Sequence, residues 1–167
     1  SGIAFYAMAR VWFSPVASAL GAVAYLVLPY HYGIDLWTRV AYAEFAAYAI
    51  TPLVFLAQFR ISKRLSRIAA LAVAYAALIL THLPSALILT CVMGAYALVH
   101  SIITRSAALL LPTGCGLALG LLLCAVYLVP ALSLQDLTNI HALWEGRRHY
   151  SEHFLFHGSS KVFLGDI

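Results

Sequence analysis

From Ile68 to Ile103 the chain carries no Asp, Glu, Lys or Arg, and this unbroken apolar run limits the fold more than any other feature. At about 1.5 Å per residue, one helix over it would far exceed a hydrocarbon layer about 30 Å thick. Thr81-His82-Leu83-Pro84 lies near its middle, and proline disfavours a continuous helix there. The run therefore reads as two membrane spans joined by a tight turn. Composition agrees: 63% of the residues are hydrophobic and 10% are charged, with mean hydropathy +0.91. A soluble domain carries roughly 25% charged residues.

A helical span needs about 20 mostly apolar residues. The pattern predicts an all-α bundle of about five spans, near 12–28, 40–59, 68–82, 84–103 and 107–129, followed by a polar outer segment over 130–167. The apolar runs are too long for the strands of a membrane barrel, and no period-two alternation is present. With five crossings, Arg10, the Arg60, Lys63, Arg64 and Arg67 cluster and Arg105 fall on one side. The positive-inside tendency makes that side cytoplasmic. Six of seven histidines, all but His100, then lie on or near the opposite side. One span over Ile68–Ile103 would destroy this sorting. A multi-pass protein of the cytoplasmic (inner) membrane is expected, in contact with lipid and not with nucleic acid, since the cations cluster in short gaps. The chain opens on Ser-Gly, ends in a polar segment and has no signal-peptide pattern. It is expected to be a piece of a longer membrane protein.

Ionisable groups beside or within apolar runs are costly and are candidates for function. Asp35 and Arg39 are four apart, so on a helix they share a face and can pair. Glu44 lies about 7.5 Å deeper than Arg39 along a helix and needs a partner, water or a proton. It is either a hydrogen-bonding carboxyl that locks two helices or a general base, proton carrier or sugar-binding acid. His82 closes the third span on the same side, and a histidine side chain can move protons or bind metal; a satisfied interfacial histidine is the plainer alternative. Pro52 and Pro112 are expected to kink their spans.

The tail beyond Pro130 concentrates Glu145, Arg147, Arg148 and four histidines beside Trp144, Tyr150 and Phe154. A loop covering a binding cavity is expected, with Glu145, Arg147, Arg148 and His153 contacting an anionic or sugar ligand. His149, His153 and His157 are spaced by four, yet no HExxH pattern accompanies them. No cofactor is expected, and a divalent metal has no support beyond that spacing. Cys91, Cys115 and Cys124 lie inside apolar runs, without a CxxC or Cys/His pair, and read as buried small hydrophobes. Gly116 and Gly120 form a small-xxx-small pair, with Gly114 just upstream, that lets another helix approach closely.

Several of these elements occur together, in order, in a known family. Pro29-Tyr30-His31, Asp35-Leu36-Trp37-Thr38-Arg39, Ala43-Glu44-Phe45 and Pro52-Leu53, then Thr81-His82, Tyr127-Leu128-Val129-Pro130-Ala131-Leu132 and His153-Phe154 resemble the bacterial and archaeal multispanning proteins labelled 6-pyruvoyl-tetrahydropterin synthase-related membrane domain. The label does not describe the chemistry, because a pterin synthase is a soluble zinc enzyme and nothing in this sequence supplies that fold. The resemblance implies kinship with membrane glycosyltransferases of the GT-C type, which use polyprenyl-phosphate sugars on the extracytoplasmic side. The catalytic acid of those enzymes lies in the first outer loop, so their catalytic role does not transfer to Asp35 by position.

The leading expectation is a segment of such a transferase. Glu44 or Asp35 would act as the base, with Arg39, His82, Glu145, Arg147, Arg148 and His153 binding the sugar or its phosphate. A transporter or flippase with a Glu44–His82 proton relay, or a non-catalytic scaffold, are the alternatives.

Overall fold

The computed structural model describes residues 1–29, 36–37, 40–61, 64–134 and 137. Among them the architecture is all-helical: α1 (Gly2–Ala9), α2 (Pro15–Leu26), α3 (Tyr42–Phe59), α4 (Leu65–Thr81), α5 (Leu83–Thr104), α6 (Leu110–Leu123) and α7 (Ala125–Ser133). Local chemistry explains the starts and the polar residues within. Ser14 Oγ accepts from the Ala17 amide, with Pro15 in the first turn of α2, where its missing N–H costs nothing. Thr51, Thr81, Thr90 and Thr104 each donate their hydroxyl to the carbonyl four residues back, at 2.7–2.9 Å. Such bonds satisfy the hydroxyl within its own helix.

By length and composition α3, with 18 residues, and α5, with 22, can cross a bilayer; α6 and α7 add a third crossing if they form one broken span. α2 and α4 are apolar but shorter, at 12 and 17 residues. α1 precedes the first predicted run. The helical path also continues through Pro130 to Ser133, beyond the expected boundary at 129.

The chain forms two units, Ser1–Val126 and Tyr127–Ile167; the second contains, among the described residues, the remainder of α7. In the first unit α4 packs against α3, α5 and α6, while α1 packs against α2 and α3. The interior is built largely from small side chains, including Ala47, Ala72, Ala76, Ala86 and Ala97. Large apolar groups such as Val73, Leu87, Ile88, Ile103 and Leu122 face outward. A water-soluble bundle does not turn so much apolar surface outward, whereas in lipid small residues bring backbones together.

From α1 to α6, consecutive helices alternate in direction. Trp12, just before α2, meets Phe59 at the end of α3 edge-on at 5.8 Å, and Phe59 meets Tyr96 in the C-terminal half of α5 at 5.5 Å. Arg67 at the start of α4 donates Nη1–H to the carbonyl of Arg60 at the end of α3, 2.6 Å away. One end of the first unit thus gathers Arg10, Arg60, Arg64 and Arg67 with an aromatic cluster suited to a membrane interface. The turn at His82 lies at the other end.

α4 and α6 run parallel, in rising register: Gly116 lies against Leu71, Gly120 against Ala72 and Tyr75, and Cys124 Sγ points to the Ala76 carbonyl at 3.5 Å. The two-span reading of Ile68–Ile103 requires this parallel relation. Cys124 is buried as expected, but Cys91 and Cys115 are exposed, because each lies on the outer face of its helix. Pro112 sits in the first turn of α6, where no helical N–H is needed. It lies near the start of the expected span, as read from the sequence, but belongs to the first turn of the helix and does not kink it.

A Cβ on Gly120 would stand 3.0 Å from the Ala72 carbonyl oxygen, which is fixed backbone. One on Gly116 would meet the movable Leu71 side chain at 2.7 Å, and one on Gly114 would meet nothing within 4 Å. Replacing a helical glycine by alanine gains about 1 kcal/mol, while overpacking costs about 1–3 kcal/mol. Unfolding measured in micelles should rank Gly114→Ala above wild type and Gly120→Ala lowest, with Gly116→Ala between these two variants. Equal stability of Gly114→Ala and Gly120→Ala would contradict the α4–α6 contact.

Candidate functional site

Glu44 is the one carboxylate among the described residues. It lies half-buried in the first turn of α3, where the positive end of the helix dipole favours a negative side chain. Val40, just before this helix, has φ 53°, a left-handed conformation unusual for a β-branched residue. The Tyr42 amide donates to its carbonyl at 3.0 Å, and the chain turns sharply into α3 at this point.

One helical turn below Glu44 the backbone is pinned from outside. Pro52 lies inside α3, so residue 52 offers no N–H to the Tyr48 carbonyl four residues earlier. The Tyr25 hydroxyl, from the last turn of α2, donates to that carbonyl at 2.7 Å. The Tyr25 ring stacks on Phe5 at 4.6 Å and meets Tyr48 edge-on at 6.3 Å. α1, α2 and α3 are thereby joined at the level that carries Glu44.

His82 is both the last residue of one helix and the first of the next. Its backbone is extended, at φ −155° and ψ 96°, which ends α4. Its Nδ1 accepts from the Ser85 amide at 3.3 Å and lies 2.7 Å from Ser85 Oγ, which caps α5. With Nδ1 accepting, the proton of the neutral ring sits on Nε2, the nitrogen left to face a ligand. Pro84 in the first turn of α5 completes the break. The Arg67–Arg60 contact fixes the antiparallel register of α3 and α4. Counted outward from that turn, Glu44 stands level with His82 and Leu83, at the end remote from the arginines.

Asp35, Arg39, Glu145, Arg147, Arg148 and His153 lie outside the described residues, as do His149 and His157. Among the described residues no three His, Cys, Asp or Glu groups assemble into a metal-binding set. Several interior polar residues escaped the sequence reading, among them Gln58, Tyr75 and Thr90. Gln58 is fully buried and donates Nε2–H to the Met93 carbonyl at 2.9 Å, and the Tyr75 and Thr90 hydroxyls are hydrogen-bonded across α4 and α5. Gln58 stands two residues from Arg60 near the end of α3, so sequence position alone does not distinguish a buried amide from an interfacial one.

Apolar helices joined through small residues, with large side chains outward, define a helical membrane protein. The chain belongs to the membrane-protein family described as 6-pyruvoyl-tetrahydropterin synthase related domain, whose model matches residues 1–147. No curated protein and no solved structure matches it.

The Tyr25–Tyr48 bond exists because of Pro52, so the two positions should be energetically coupled. Tyr25→Phe keeps the aromatic stack but strands the Tyr48 carbonyl, at a cost of about 1–3 kcal/mol. In a Pro52→Ala background the restored amide takes that carbonyl, and Tyr25→Phe should then cost roughly 1 kcal/mol less. A double-mutant cycle measured by unfolding in micelles checks this; strictly additive costs would contradict it.

Proposed function

We propose that the chain is a segment of a GT-C-type glycosyltransferase-like protein of the cytoplasmic membrane, crossing it about five times and handling lipid-linked sugars on the extracytoplasmic side. The observation that carries this reading is Glu44, a half-buried carboxylate level with His82 at the end of the bundle opposite the arginines. A carboxylate there is suited to take the proton of an acceptor hydroxyl as general base. The Nε2–H of His82 is suited to donate to a sugar or phosphate oxygen. Arg39, with Arg147 and Arg148, would neutralise the lipid phosphate, which guanidinium matches in bidentate geometry. Asp35 is the second candidate base, and Glu145 and His153 would complete the sugar contacts. Membership of a family named for a pterin synthase adds no pterin chemistry to this reading.

A second reading, transport of a lipid or small polar solute, draws on one observation. The apolar path from Leu110 to Ser133 is interrupted at Cys124, and discontinuous helices are frequent in transporters. It predicts movement of substrate without a covalent product.

Full-length protein carrying Glu44→Gln should transfer sugar from a labelled polyprenyl-phosphate donor about 10²–10⁴-fold more slowly, the usual contribution of a general base. His82→Asn preserves a helix cap while removing the imidazole, and should lower turnover without unfolding the protein. Unchanged turnover in both variants would remove these residues from the mechanism. Proton-coupled uptake with no glycosylated product would favour the transporter.

A further inference from the structure

A groove runs between α3 and α4 from the arginine-rich end toward the middle of the bundle. Its mouth is formed by Arg60 and Arg67, both exposed, and its first stretch, of about 460 Å³, continues along Leu53, Leu56, Ala70 and Ala74. A second stretch of about 570 Å³ shares Leu53, Ala70 and Ala74 and extends to Ile50 and Ala77. The two therefore form one continuous channel, cationic at the mouth and apolar beyond. Small side chains on α4 leave the space, and α3 supplies its larger wall.

The charge at the mouth has no answering carboxylate among the described residues. Glu44, their one carboxylate, lies sixteen positions from Arg60 on α3, about 24 Å along the helix. Arg67 commits one N–H to the Arg60 carbonyl, but a guanidinium has five. α4 begins at Leu65 with no side-chain cap on its first amides, and such an N-terminus favours an anion. Two guanidinium groups and an uncapped helix start thus meet at the head of an apolar channel.

We propose that this groove binds an anionic phospholipid of the cytoplasmic leaflet, its phosphate held by Arg60 and Arg67 and one acyl chain lying along Leu53, Ala70 and Ala74. Cationic pockets between membrane helices on the cytoplasmic side suit anionic headgroups. The apolar continuation commits the occupant to a lipid, since a free phosphate would use only the mouth. The site lies at the opposite end from Glu44 and His82 and does not depend on the function proposed for them.

The test is binding of phosphatidylglycerol and phosphatidylcholine to the full chain in micelles, read by native mass spectrometry. Wild type should retain phosphatidylglycerol about tenfold or more over phosphatidylcholine, on the scale expected of two surface arginines, and the preference should shrink with salt. The double substitution Arg60→Gln with Arg67→Gln should abolish the preference. Ala70→Leu, which fills the channel without touching the charges, should reduce retention of both lipids. Excess glycerol 3-phosphate should not displace the bound lipid. Should the double arginine variant fail to fold, the wild-type preference and its salt dependence decide. Equal retention of the two lipids by wild type, unchanged binding in Ala70→Leu, or full displacement by glycerol 3-phosphate would overturn the proposal.

Discussion

Every backbone polar group in lipid must find its partner inside the protein, because the hydrocarbon offers none. Three interruptions or ends of helices in this chain are met by side-chain partners in this way. Pro52 denies the Tyr48 carbonyl its helical donor, and the Tyr25 hydroxyl supplies one from α2. The turn at residue 82 would expose the first amides of α5, and the His82 ring accepts from one of them. Arg67 serves the carbonyl of Arg60 where α3 ends. Each repair comes from a neighbouring helix or from across a turn, so the same bonds that satisfy the backbone also fix how the helices sit together.

Packing completes what the hydrogen bonds begin. Lipid tails are as apolar as leucine, so burial alone does not bring such helices together; close contact through small residues does. Gly116 and Gly120 allow α6 to rest on Leu71, Ala72 and Tyr75 of α4, and alanines line much of the remaining interior. The Arg67–Arg60 contact sets the register of α3 against α4. That register sets Glu44 level with His82 and leaves the arginine-headed groove at the other end.

Much of this was legible in the sequence because the signals were chemical and local. The uncharged run over Ile68–Ile103 demanded a break, and Thr81-His82-Leu83-Pro84 marked where it falls. The small-xxx-small pair at Gly116 and Gly120 announced a close helix contact. The partner of that contact was not legible, since α4 and α6 are far apart in sequence and many helix pairs satisfy the same pattern. Tyr25 was overlooked for the same reason: its role is defined by a proline twenty-seven positions later. Cys91 and Cys115 were misjudged because apolar surroundings in sequence do not distinguish a lipid-facing position from a buried one. The candidate site was legible as residue types, with Glu44 and His82 now set at one level and its other members outside the described residues.

The central claim is that the arginine end and the Glu44–His82 end lie on opposite faces of a bilayer. Single cysteines introduced as Arg64→Cys or Leu83→Cys, after replacement of Cys91, Cys115 and Cys124 by alanine, can be labelled in sealed vesicles with a membrane-impermeant maleimide. The account predicts labelling of position 83 from the extracytoplasmic face and of position 64 only from the cytoplasmic face. Labelling of both positions from the same face would contradict it.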